Sequence, residues 1–167
     1  MAERPEPGDD VDKEKWAAVE EATELLYEER FHEALANLRD VIKADAHNPY
    51  AFFFLGQALY EVGEIEPSRD AYRACLKLAP AYRGARVALS HALRKLGDAR
   101  EAVKEGMIAL EQSPADEDAL YAVGLAYMSR GDSKAARRYL TAMLQGKPEF
   151  ETRLEVEAIL GQLPPED

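Results

Sequence analysis

What the sequence has little of narrows it first. It holds one cysteine, Cys75, and three histidines, His32, His47 and His91, far apart along the chain. No internal disulfide can form, no structural zinc spacing can be written, and an unpaired thiol fits a reducing compartment. No stretch approaches the roughly 18 apolar residues of a membrane span, and residues 1–10 have no apolar run for a signal peptide. A cytoplasmic location without direct membrane insertion is expected. Positive charge is scarce as well: 21 Lys and Arg stand against 32 Asp and Glu, a net charge of −11. Such a balance disfavours attraction to nucleic-acid phosphates or anionic lipid, so no nucleic-acid partner is expected. Nor is there a Gly-rich phosphate loop, because Gly63, Gly97 and Gly131 are isolated and none precedes a Gly-Lys-Ser/Thr ending.

What is present is a folded composition with an internal period. Hydrophobic residues make up 47% and charged residues 32% of 167 residues, enough to bury a core in one domain or a short repeat stack. Gly63, Gly97 and Gly131 recur 34 residues apart, and so do Pro80, Pro114 and Pro148. Leu25, Leu59, Leu93 and Tyr127 form a column at the same interval, as do Glu21, Leu55, Leu89 and Val123. Two columns of mostly small residues, Ala22, Gly56, Ser90, Gly124 and Ala34, Ser68, Ala102, Ala136, let paired helices approach closely. Turn chemistry falls at the same boundaries. Asp98 after Gly97 can cap a helix, with Glu101 completing a capping-box-like pair, and Asp132 after Gly131 repeats the device. Asn48-Pro49 supplies a cap and a first-turn proline, and Asp116 caps a helix from Glu117. Paired helices are predicted near 12–28 and 31–44, 49–62 and 65–78, 83–96 and 99–112, 117–130 and 133–145, with a ninth at 149–162.

The run from Phe54 through Leu55, Gly56, Leu59 and Tyr60 to Gly63, followed by Tyr72, Cys75 and Pro80, resembles the tetratricopeptide repeat. The resemblance implies an all-α, right-handed superhelical solenoid of antiparallel helix pairs. Its expected divisions are an acidic disordered tail at 1–11, a divergent capping repeat at 12–48, and repeats at 49–82, 83–116 and 117–148. A C-terminal capping helix at 149–163 and a short tail at 164–167 complete the chain. Repeat one departs from the pattern, with Glu21 and Ala22 for Leu-Gly, Glu29 for glycine and Ala46 for proline, as a terminal cap tolerates.

In this family the first helix of each pair lines a concave surface. That geometry makes Trp16, Val19, Tyr50, Phe53, Phe54, Gln57, Tyr60, Val87, His91, Arg94, Tyr121, Leu125 and Met128 the candidate partner-binding groove. Contiguous apolar surface of this kind invites association. The expected function is a non-catalytic adaptor or scaffold for a protein or peptide partner, with no cofactor and no metal. On this reading Phe54→Glu or Tyr121→Glu abolishes partner capture with little change in thermal unfolding. The alternative for Trp16, Phe53 and Phe54 is packing between repeats.

Two other functions compete: a homodimer or larger assembly formed through the same groove, and a small chaperone similar to those of type III secretion translocators, of which Phe52-Phe53-Phe54-Leu55-Gly56 is reminiscent. The co-chaperone clamp for a terminal carboxylate is rejected. Its cations and amides would fall on Val19, Thr23, Phe54, Gly84 and Ala88, or one repeat later on Phe53, Gln57, Ala88, Asp118 and Ala122.

Catalysis is not expected either. Cys75 shares a packing column with Val41, Ala109 and Met143, which predicts a buried, inert thiol. Glu101 and Glu105 have the i,i+4 spacing of an exposed helix face rather than a pocket that separates two pKa values. Lys134, Arg137 and Arg138 form a short basic patch read mainly as helix surface.

Overall fold

The computed structural model describes residues 10–165. The expected tail falls outside the described residues at positions 1–9, as do residues 166–167, whereas Asp10 and Val11 belong to the first helix. The helices are α1 (Asp10–Ala17), α2 (Glu20–Tyr27), α3 (Phe31–Ala44), α4 (Pro49–Glu61), α5 (Ile65–Leu78), α6 (Arg83–Lys95), α7 (Ala99–Gln112), α8 (Glu117–Arg130), α9 (Ser133–Gln145) and α10 (Phe150–Gln162). No strand occurs among the described residues.

Turn residues set these boundaries. At the ends of α4, α6 and α8, Gly63, Gly97 and Gly131 adopt φ of 86°, 84° and 85°, the left-handed region that only glycine enters without strain. The next amide then closes on a carbonyl five residues back: Glu64 N–H donates to Leu59, Asp98 to Leu93 and Asp132 to Tyr127. Glu29 makes the same turn at φ 58° without being glycine. Asn48, Asp98, Asp116 and Asp132 cap α4, α7, α8 and α9 through their side-chain oxygens. The expected capping box is only half made. The Asp98 N–H is committed to Leu93, and the Glu101 carboxylate lies 3.5 Å from Lys104 Nζ instead.

The helix expected at 12–28 breaks at Ala18–Val19, and the break has an identifiable cause. In an unbroken helix the Lys15 carbonyl would accept from the Val19 N–H. Here that N–H turns to Trp16, while the Lys15 carbonyl accepts from Asn48 Nδ2 at 2.8 Å. Lys15 Nζ in turn donates to the His47 carbonyl at 2.6 Å. The break swings Trp16 onto Tyr50 and Phe54, with ring centroids 5.3 and 5.8 Å away.

From α2 onward each helix packs on the next, α1 packs on α4, and the small columns sit at the tightest crossings. A Cβ on Gly56 would lie 2.6 Å from the Tyr72 ring, and one on Gly124 would lie 2.7 Å from Leu140. Serine serves these crossings from opposite sides. Ser68 on α5 donates to the Gly56 carbonyl on α4, whereas Ser90 on α6 donates to the Ala102 carbonyl on α7. Cys75 is fully buried, and burial pushes its thiol up to about 12. The core runs as three clusters joined end to end through Phe53, Leu76, Met107 and Tyr127.

The stack curves, and its contacts say which way. Neighbouring first helices touch, α2 on α4, α4 on α6 and α6 on α8, while α3, α5, α7 and α9 make no comparable contact among themselves. The first helices therefore line the inner side. Val156 of α10 is fully buried, and α10 packs on α9. The Arg137 guanidinium donates to the Leu160, Leu163 and Pro164 carbonyls. Arg137 is thus committed to holding the C-terminal segment, which leaves Lys134 and Arg138 as the exposed part of the basic patch.

Candidate functional site

Residues spaced i, i+4, i+7 share one stripe of a helix. Three first helices present such a stripe at matching positions: Phe53, Gln57 and Tyr60 on α4; Val87, His91 and Arg94 on α6; Tyr121, Leu125 and Met128 on α8. All but Leu125 are partly exposed, Met128 most clearly at 37%. The stripe does not continue into repeat one, where the equivalents Val19 and Leu26 are buried and only Thr23 is half-buried. The groove begins at α4.

Four candidate residues belong to the interior instead. Val19 is 0%, Tyr50 3%, Phe54 1% and Leu125 6% exposed. Tyr50 and Phe54, spaced i,i+4, share one face of α4 that lies about 60–100° around the helix from the stripe, which points both into the interface between repeats. Trp16 is half-buried against both. Phe53 straddles the boundary, its ring 5.1 Å from Phe54, 6.0 Å from Tyr72 and 4.9 Å from Tyr82. The expectation that Phe54→Glu spares the fold is therefore corrected, because that substitution places a carboxylate among packed rings.

Polar groups gather toward α6 and α8. The His91 and Tyr121 rings are 6.1 Å apart, and Lys95 Nζ lies 4.9 Å from the centroid of Tyr60. Burial, then the nearby Arg94 charge, lowers His91 to about 4. Burial, then the hydrogen bond its hydroxyl donates to Glu155, raises Tyr121 to about 12. Arg94 Nε is buried without a hydrogen-bond partner among the described residues. Glu155 was absent from the sequence-derived groove, and Lys95 was read there mainly as a solvated helix face. The signal for Glu155 was the period itself, since it lies 34 residues beyond Tyr121 and α10 continues the register of a first helix.

Two open surface pockets lie elsewhere. A pocket of about 460 Å³ opens at the outer end of repeat one, between Glu21, Glu24 and Glu28 of the α2 side and Arg30, Glu33 and Asn37 of the α3 side. Another of about 510 Å³ lies beside Arg137, Leu160 and Pro165. The groove itself is open, suited to an extended or helical segment rather than a small molecule. Among the described residues no group of His, Cys, Asp and Glu could hold a metal ion, and no helix is long and apolar enough to cross a membrane.

Comparison with known proteins agrees with this geometry. The tetratricopeptide repeat family model matches residues 19–83 and 87–149. Among solved structures, the type IV pilus biogenesis factor PilW is 19% identical with a TM-score of 0.77, covering 93% of this chain and 72% of that one. A thermophilic tetratricopeptide repeat protein of Thermus thermophilus is 20% identical with a TM-score of 0.75, covering 89% of this chain and 84% of that one. YrrB, described as having an unusual peptide-binding site, is 20% identical with a TM-score of 0.73, covering 82% of this chain and 71% of that one. No curated protein matches the sequence.

Proposed function

Because the chain belongs to the tetratricopeptide repeat family, we propose that it is a non-catalytic adaptor whose inner face, from α4 to α8, receives a peptide or helix of a protein partner. One observation carries this reading: three successive first helices hold a half-exposed stripe of aromatic, aliphatic and polar side chains in register on the inner side of the curve. The peptide-binding site described for YrrB, a structure of the same fold, supports it. The fully buried thiol of Cys75 supports the non-catalytic part, since a thiol held near 12 is not a nucleophile at neutral pH.

Selection from a displayed random peptide library tests the proposal. The wild type is expected to enrich a family of peptides that Met128→Glu loses, while that variant keeps the wild-type melting curve. A wild type that enriches nothing sinks the adaptor reading. Light scattering separates it from self-assembly, for a dimer split by Met128→Glu would make the groove an interface between copies.

A further inference from the structure

The molecule is acidic overall, but its charge is unevenly placed along the stack. Residues 12–48 hold five Lys and Arg against ten Asp and Glu, whereas residues 83–116 hold six against five and residues 117–150 five against four. Within residues 83–116, two arginines are consumed by internal pairs: Arg83 lies 3.3 Å from Asp116, and Arg86 lies 2.8 Å from Glu105. Arg94 is different. It sits on the inner stripe, half-buried, with no carboxylate at ion-pair distance among the described residues and with its Nε buried and unpartnered. Its sequence neighbour Lys95 adds a second cation, spread over the Tyr60 ring.

Resting on the adaptor reading above, we infer that the α6 section of the groove is an anion subsite, in which Arg94 takes the carboxylate of an acidic side chain in the partner peptide and Lys95 flanks it. A half-buried guanidinium lacking its counter-ion favours a carboxylate more strongly than a solvated one does, and its planar fork offers paired donors to both oxygens. The surroundings fit an incoming anion. His91 is held neutral at physiological pH, so its ring offers a donor and an acceptor without competing charge. The anion that faces the cluster from α10, Glu155, is engaged by the Tyr121 hydroxyl. Partner carboxylate and Glu155 are therefore served by different groups.

The test pans the displayed random peptide library against the full-length wild type, Arg94→Gln and Arg94→Lys, each verified by its circular-dichroism melt. The leading peptide and its Asp→Asn or Glu→Gln counterpart are then titrated by fluorescence polarisation. The wild type should enrich a recurrent Asp or Glu at one position, and neutralising that residue should weaken binding roughly tenfold or more. Arg94→Gln should lose the acidic preference and bind both peptides alike, while Arg94→Lys keeps it in part. Peptides enriched without an acidic position, or an acidic preference that survives Arg94→Gln, overturn the subsite and leave the groove standing. A wild type that enriches nothing overturns both.

Discussion

At the residue scale, two side chains connect burial to measurable chemistry. His91 stays neutral in the folded protein down to about 4, whereas its unfolded value is the ordinary 6.5. Between these values unfolding takes up a proton, so this contribution to stability is full above pH 6.5 and drains away as the pH falls toward 4. His91→Gln should flatten that slope. Urea midpoints at pH 7 and pH 4.5 should move together in the variant, while the wild type loses on the order of 2 kcal/mol more between them. Asn48 offers a different separation. Its Oδ1 caps α4 by accepting from Tyr50 and Ala51, and its Nδ2 holds the Lys15 carbonyl. Asn48→Asp keeps the cap and loses the second bond, so it should release α1 to fast hydrogen exchange while α4 stays protected. Asn48→Ala loses both and should cost about 2 kcal/mol or more by thermal melt.

At the element scale, the helix pairs and their caps were legible in the sequence because glycine, proline and aspartate act locally. The left-handed turns at Gly63, Gly97 and Gly131 need no tertiary information, and the observed helices begin and end within a residue or two of the periodic marks. The break at Ala18–Val19 was not legible, because its cause lies thirty-odd residues away in Asn48. The groove was half legible for a related reason. Periodicity identifies columns, but neighbouring columns such as those of Phe53 and Phe54 are separated only by the angle at which each repeat rests on the next. Glu29 shows a local rule being broken: it holds φ 58° where its three counterparts are glycine. Glu29→Gly removes left-handed strain at the expense of unfolded-chain entropy, so a net gain of about 0.5–1 kcal/mol is expected in the urea midpoint.

At the scale of the whole molecule, three clusters joined through a few shared side chains make stability a matter of neighbours rather than of one centre. α10 closes the last cluster, with Val156 fully buried and Arg137 fastening its end. Removing residues 150–167 should therefore lower the melting temperature and let amides of α8 and α9 exchange first, while those of α4 and α5 keep their protection. Uniform loss of protection along the chain would instead show a single cooperative unit. The groove spans the first helices of three repeats, so its shape depends on the angle between repeats. A partner that fills it should raise protection in α6 and α8 together.

One of the bonds that hold α1 is made by a primary amide, that of Asn48, and an asparagine is the residue most prone to lose such an amide spontaneously. Deamidation proceeds when the backbone nitrogen of the next residue attacks the side-chain carbonyl. Here that nitrogen belongs to Pro49, which has no hydrogen to give up and cannot close the ring. The proline that starts α4 thus also shields the Asn48 amide from chemical ageing, so the tether of α1 should outlast the amide of Asn37, the chain's other asparagine, which Leu38 follows, in a stored sample.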